Sequence, residues 1–186
     1  MAAGGSRRAD ARSARLAAIA AIAAAAACSD SDGGGPDAAL PDAARAECVA
    51  DPTPTGSDGD CPAACTGGCL DGVCTIDCTA EVCPSPITCP EEYACLVRCE
   101  GVDACDTTEI QCPAVNACTV ECIAGVDACG DVALQCGAAS CTMECGEATC
   151  IGAVMLCGTG PCTATCSAET RPAQQCGAAC ECTPCP

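Results

Sequence analysis

Cysteines recur with a regular spacing from Cys74 onward, and this repeat constrains the fold more than any other feature of the chain. Cutting the sequence before each C-x3-C pair gives four segments of 21 to 23 residues, which begin at Cys74, Cys95, Cys118 and Cys141. A fifth segment, from Cys162, keeps three of the four cysteines of the pattern. A period of this length is typical of solenoids, in which each repeat packs mainly against its neighbours.

Each C-x3-C pair alternates apolar and polar side chains as a β-strand does. In residues 118–122 the two cysteines and Val120 share one face, while Thr119 and Glu121 share the other. A second short apolar stretch ends each repeat. The middle residue of the C-x3-C stretch faces inward and is apolar in all five segments: Ile76, Val97, Val120, Met143 and Ala164. The second stretch also has an apolar inward residue in the first four segments: Ile87, Ile110, Leu134 and Met155.

We therefore predict an all-β fold, a small parallel β-helix or β-solenoid of about four to five coils that stack about 4.8 Å apart. The repeats occupy residues 74–166. Residues 61–73 form an N-terminal cap, and residues 167–186 a degenerate repeat and a C-terminal cap, because solenoid ends expose strand edges that need cover. Both caps are expected to be irregular and rich in cysteine.

The repeat also predicts four columns of cysteines, which we expect to form structural disulfides. Two cysteines of one C-x3-C pair lie about 13 Å apart along a strand, too far to bond each other. Partners must therefore come from another wall or an adjacent coil, and the spacing leaves the pairing open. Cys69 and Cys176 are expected to extend the fourth column. The four columns within residues 74–166 are Cys74, Cys95, Cys118, Cys141 and Cys162; Cys78, Cys99, Cys122, Cys145 and Cys166; Cys83, Cys105, Cys129 and Cys150; and Cys89, Cys112, Cys136 and Cys157.

The composition explains why cross-links are needed. The chain has no Trp, no Phe and one Tyr. A core that lacks large aromatic side chains buries little apolar area per residue. Cysteine, in contrast, supplies 27 of the 186 residues, a density typical of disulfide scaffolds in oxidising compartments.

The N-terminus has the features of an export signal. Residues 16–27 are a run of twelve apolar residues that follows an arginine-bearing segment and directly precedes Cys28. Twelve residues are too few to span a bilayer as a helix, but they match the apolar region of a signal peptide. A cysteine in this position resembles the signal of bacterial lipoproteins, which implies that Cys28 is lipidated and becomes the mature N-terminus. Ordinary cleavage near Ala27 is the alternative.

The residues after Cys28 have the composition of a tether. Residues 29–60 are rich in Asp, Gly, Pro and Ala and cannot bury enough apolar area to fold. We therefore assign residues 1–27 to a signal peptide and residues 28–60 to the lipid-anchor cysteine with a disordered, flexible linker. Setting Cys28 aside leaves 26 cysteines, an even number that can pair completely.

The net charge and the residue types present exclude several classes of function. The chain has a net charge of -18 and contains no His. The negative charge argues against nucleic acid as a partner, and the lack of His removes the commonest general base and metal ligand. No phosphate-binding glycine loop is present. We expect no catalytic residue, no cofactor and no metal site, and therefore no enzyme.

Two cysteine patterns raise alternatives. Residues 182–185 (C-T-P-C) have the spacing of a redox pair, but they lack the βαβ context of such pairs and are interpreted as structural. Cysteine density and the near absence of aromatics resemble metallothioneins, although C-x-C occurs only at Cys180 and Cys182.

The chain as a whole resembles bacterial cell-envelope lipoproteins that carry a cysteine-rich repeat domain. The resemblance implies a non-enzymatic, exported protein held by lipidated Cys28 at the outer membrane or cell surface. It would have a structural or adhesive role toward an unknown extracellular or envelope partner. A metal-sequestering thiolate protein is the alternative.

Overall fold

A computed structural model describes residues 47–79, 83–167 and 170–185. The predicted signal peptide, Cys28 and the linker up to residue 46 lie outside the described residues. The described part of the chain contains one short 3-10 turn (Asp58–Asp60) and twelve β-strands: β1 (Gly68–Leu70), β2 (Val73–Cys78), β3 (Ile87–Thr88), β4 (Ala94–Glu100), β5 (Glu109–Gln111), β6 (Cys118–Ala124), β7 (Ala133–Gln135), β8 (Cys141–Cys145), β9 (Val154–Leu156), β10 (Pro161–Cys166), β11 (Ala173–Gln175) and β12 (Glu181–Thr183).

The strands form two sheets that wind as a parallel β-helix. Sheet A has the order β1-β2-β4-β6-β8-β10-β12, and sheet B has the order β11-β9-β7-β5-β3. Each coil gives one strand to each sheet, and successive coils pair in parallel, with Cys74 opposite Cys95 and Cys118 opposite Cys141. The predicted all-β, disulfide-rich parallel solenoid of about five coils is confirmed.

The interior follows the period-two pattern of the sequence. Strand β2 alternates half-buried and buried residues along its length, because successive side chains of a strand point to opposite faces. Both predicted inward rows are buried, from Ile76 to Ala164 in sheet A and from Ile87 to Met155 in sheet B. The second row ends at Gln174, whose Nε2 donates a hydrogen bond to the Cys162 carbonyl at 3.0 Å. A polar residue thus ends the apolar interior at the last coil.

Stacked turns form the third wall of the helix. The repeated G-V-D-A-C string gives Gly101 and Gly125 φ values of 118° and 105°, and Asp103 and Asp127 values of 56° and 55°. Glycine tolerates this left-handed conformation, and Asp adopts it more readily than most other residues. The turns also pair across coils, since the Cys105 N–H donates to the Ala128 carbonyl at 2.8 Å. These aspartates are therefore explained by backbone conformation.

Residues 47–60, here called the strap, run along one corner of the solenoid. Cys48 is disulfide-bonded to Cys180 near the C-terminus. Further along, Asp51 accepts a 2.8 Å hydrogen bond from the Ser140 N–H. Near the first coil, the N–H groups of Thr55 and Gly56 donate to the Glu92 carbonyl at 3.0 and 2.8 Å. The linker predicted over residues 28–60 is therefore wrong for residues 47–60, which lie on the folded domain.

The strap also covers the one tyrosine. The Tyr93 side chain is buried, and its hydroxyl donates a 2.8 Å hydrogen bond to the Ser57 carbonyl. A side chain on Gly56 would collide with the tyrosine ring, because a Cβ there would lie 2.4 Å from its nearest atoms. The strap is thus packed on the solenoid by a specific contact as well as by its hydrogen bonds.

The first end of the solenoid differs from the prediction at Cys69. Strand β1 pairs antiparallel with β2, and Cys69 lies opposite Cys74 in sheet A instead of extending the fourth column in sheet B. The physical reason is the two-residue turn Asp71-Gly72, in which both residues have positive φ, 52° and 75°. Asp-Gly turns of this kind close β-hairpins.

The C-terminal end of the solenoid is more regular than the irregular cap that we predicted. Strand β11 continues sheet B, and β12 continues sheet A in parallel register, with Cys162 opposite Cys182. Cys176 follows β11 directly, as expected for the fourth column. The repeat therefore extends beyond residue 166 and reaches Thr183.

Candidate functional site

All 26 described cysteines are joined in thirteen disulfides, including the eighteen at repeated positions. Eight of these bonds, here called the coil disulfides, each join two cysteines that are consecutive among the cysteines of the sequence. The coil disulfides are Cys78–Cys83, Cys89–Cys95, Cys99–Cys105, Cys112–Cys118, Cys122–Cys129, Cys136–Cys141, Cys145–Cys150 and Cys157–Cys162. The other five lie at the ends: Cys48–Cys180, Cys61–Cys69, Cys65–Cys74, Cys166–Cys185 and Cys176–Cys182.

The coil disulfides alternate between two corners. One set joins the second column to the third within a coil, as in Cys99–Cys105, and the other joins the fourth column to the first of the next coil, as in Cys112–Cys118. No C-x3-C pair among the described residues bonds internally, in agreement with the distance argument. So many disulfides in a chain of this size indicate an oxidising environment outside the cytosol.

Sulfur atoms of neighbouring bonds come together at three places. Within each group the three Sγ atoms lie within 4.8 Å of one another, and the groups are Cys61, Cys65 and Cys69; Cys78, Cys99 and Cys105; and Cys122, Cys145 and Cys150. Three converging sulfurs have the composition of a thiolate metal site. In this structure each of them is in a disulfide, so it offers no thiolate to a metal ion.

The C-T-P-C segment is divided between two bonds. Cys182 bonds Cys176, and Cys185 bonds Cys166. The predicted structural role agrees with this arrangement, although the two cysteines of the motif do not bond each other. A redox pair of the C-x-x-C type requires a bond between its own two cysteines, which this structure does not contain.

The outward face of sheet A presents two rows of side chains in register. The first row is mostly threonine and continues to the last strand, and the second is mostly charged: Thr75, Leu96, Thr119, Thr142, Thr163 and Thr183, then Asp77, Arg98, Glu121, Glu144 and Thr165. Arg98 lies between two acidic neighbours, with its Nη1 3.7 Å from Asp77 Oδ1 and its Nε 3.2 Å from Glu121 Oε2. Threonine favours strands for its branched Cβ, which accounts for the first row.

An open groove lies beside the charged row at coils three to five. Its volume is about 650 Å³, and Glu121, Ile123, Glu144, Thr165 and Ser167 contribute to its lining. Glu121 and Glu144 are direct neighbours in parallel strands, where like charges repel. Ile123 is 41% exposed because β4 and β6 shift register here, so that Glu100 pairs with Ala124. The groove therefore combines two neighbouring carboxylates with an exposed apolar side chain.

The fold and the disulfides together define a disulfide-rich parallel β-solenoid. Comparison with protein-family models, curated proteins and solved structures finds no match to this chain. Within the described residues, no helix combines the length and the apolar character needed to cross a membrane.

Sequence reasoning missed the strap and the hairpin at Cys69. Asp71-Gly72 is a recognised hairpin signal that could have identified the antiparallel β1–β2 pair. The composition of the strap is that of a linker, and its one signal is Cys48, which needs a partner if all 26 cysteines pair. Cys28, the predicted lipidation residue, lies outside the described residues.

Proposed function

We propose that this chain is a non-enzymatic lipoprotein of the bacterial cell envelope, anchored through Cys28 at the outer membrane or cell surface. Its solenoid serves a structural or adhesive role toward an extracellular or envelope partner. The observation that carries the anchor is the run of twelve apolar residues that ends directly before Cys28. The complete pairing of the other 26 cysteines supports it, because Cys28 is left without a structural partner among the described cysteines.

The shape of the domain supports a structural or binding role. Sheet A offers an outward face of six strands in parallel register, with polar rows of threonine and charged side chains. A face whose side chains repeat in register suits contact with an extended partner surface. The proposal assigns no reaction to these residues.

Replacing Cys28 with Ser is expected to move the protein from the membrane fraction to the soluble exported fraction. Ser cannot form the thioether to the lipid, so ordinary cleavage near Ala27 would release the exported chain without an anchor. The measurement is fractionation of cells that express the full chain, together with the intact mass of the mature protein, which reports the lipid directly.

Ser29→Ala is the matched control, since it changes the neighbouring residue and keeps the cysteine. It should stay in the membrane fraction and keep the lipid mass. Equal distribution of the Cys28→Ser and unaltered chains between the fractions would refute the anchor.

The alternative is a thiolate protein that sequesters metal ions. The three groups of converging sulfur atoms are the observation in its favour, because reduction would turn each group into a possible soft-metal site. The two proposals predict different numbers of free thiols and different metal contents for the purified, unreduced protein. The lipoprotein proposal predicts no alkylatable thiol among the 26 cysteines and no bound zinc or copper. Alkylation under denaturing conditions and elemental analysis measure both, and stoichiometric metal with many free thiols would establish the alternative.

A further inference from the structure

We propose that Cys83 is a thiol-exchange site. It takes up a low-molecular-weight thiol as a mixed disulfide, and the thiolate thereby released from Cys78 exchanges with the disulfide of the next coil. The inference is independent of the lipid anchor, since it concerns only the sulfur atoms at the first coils of the solenoid.

Access distinguishes Cys83 from its counterparts in the third column. Cys105, Cys129 and Cys150 are completely buried, with 0% of their surface exposed, whereas Cys83 is half-buried. Cys83 also lines a mostly apolar pocket of about 250 Å³, together with Ala63, Pro84 and Ile87. A small thiol can therefore approach this sulfur, while the other three bonds of the same corner are closed to it.

The first step is a balanced thiol–disulfide exchange. The thiolate of the incoming molecule attacks Cys83 Sγ, a new sulfur–sulfur bond forms there, and the Cys78–Cys83 bond breaks. Cys78 leaves as a thiolate and keeps the electron pair of the broken bond. The incoming thiol gives up its proton to solvent before the attack, and no external oxidant or reductant is consumed.

The second step is possible because of the sulfur group at this corner. The Sγ atoms of Cys78, Cys99 and Cys105 lie within 4.8 Å of one another, and Cys99 and Cys105 are bonded to each other. The Cys78 thiolate attacks one of these two sulfurs, which forms a disulfide between coils and releases the other as a thiolate. The number of disulfides in the protein is unchanged by this step.

The other corner of the helix lacks this arrangement. Cys89 and Cys95 are also bonded and buried. Within residues 47–79, 83–167 and 170–185, they belong to no group of three sulfur atoms at such distances. A thiolate released there has no neighbouring disulfide of the same kind to attack. This contrast between the corners supplies a matched control.

The test uses the full chain carrying Cys83→Ser, in which Cys78 has lost its partner. After incubation at about pH 8, where thiolates form, the protein is quenched in acid, unfolded, alkylated and digested without reduction. The alkyl label should appear on Cys78, Cys99 and Cys105, with about two-thirds on Cys99 and Cys105 if exchange among the three sulfurs has no preferred product. Peptides joined through Cys78 to Cys99 or Cys105 should accompany it. The Cys89→Ser control should carry its label on Cys95 alone.

A second measurement keeps the proposal testable if Cys83→Ser does not fold. The unaltered chain is incubated with reduced glutathione in native buffer and mapped in the same way. A glutathione adduct on Cys83, with alkyl label on Cys78, Cys99 or Cys105, is expected. Label confined to Cys78 in the variant, or the absence of an adduct on Cys83 in the unaltered chain, would overturn the proposal.

Discussion

Reduction of the disulfides is expected to unfold the solenoid completely. The eight coil disulfides close loops with sequence separations of 5 to 7 residues. By the chain-entropy model, a loop of this length contributes about 2 kcal/mol, so the eight together contribute on the order of 16 kcal/mol. This sum exceeds the net stability of about 5–15 kcal/mol of a typical domain. The apolar interior, which lacks large aromatic side chains apart from Tyr93, cannot replace it.

Circular dichroism of the chain in the presence of a phosphine reductant measures this effect. The reductant is added under denaturing conditions, because many of the cysteines in the coil disulfides are buried, and the denaturant is then removed. Loss of the β-sheet spectrum and of any cooperative thermal transition is expected. The same cycle without reductant should restore the native spectrum. A reduced chain that regains the spectrum would contradict the prediction, and one that regains it only with zinc would favour the metal-binding alternative.

Replacing Gly158 with Ala is expected to destabilise the fold by about 3 kcal/mol or more, at the upper end of what overpacking costs in a core. Gly158 follows Cys157 at the corner between the two sheets. A Cβ there would lie 1.7 Å from the Gly137 carbonyl oxygen of the preceding coil. The obstacle is backbone that also carries the stacking of the coils, so a side-chain rotation cannot relieve it.

Guanidinium unfolding of the oxidised protein measures this change as a lower transition midpoint. Gly59→Ala is the matched control, because a Cβ at Gly59 meets nothing within 4 Å. Its midpoint should stay close to that of the unaltered chain or rise slightly, because alanine restricts the unfolded state. Equal midpoints for the two variants would show that the corner yields to a methyl group.

The body of the fold was predictable because every coil repeats the same physical requirement. A cysteine, an apolar residue and a second cysteine at alternate positions must face inward, and this pattern recurs five times. The sequence also contains a signal for the corner at Gly158. The residue after each fourth-column cysteine is Pro or Gly: Pro90, Pro113, Gly137, Gly158 and Gly177. Such residues are typical of turns.

The pairing of cysteines and the position of the strap were not predictable in the same way. Columns fix which sulfurs face inward, but the choice between a partner in the same coil and one in the next depends on the distances across each corner. The structure uses both kinds of partner, at different corners. The strap has no hydrophobic period of its own. Its position depends on single contacts such as Cys48–Cys180 and Asp51 with Ser140, which join residues far apart in sequence.

The strap has a mechanical consequence for an anchored protein. Because Cys48 is bonded to Cys180, the chain enters the folded domain beside its last coil and not beside its first. With a lipid on Cys28, the 20 residues from Cys28 to Cys48 reach at most about 70 Å when fully extended. Tension on the lipid would then act on a covalent bond at the C-terminal end before it reached any hydrogen bond of the strap. The first coil, with the pocket beside Cys83, would be the end most distant from the attachment.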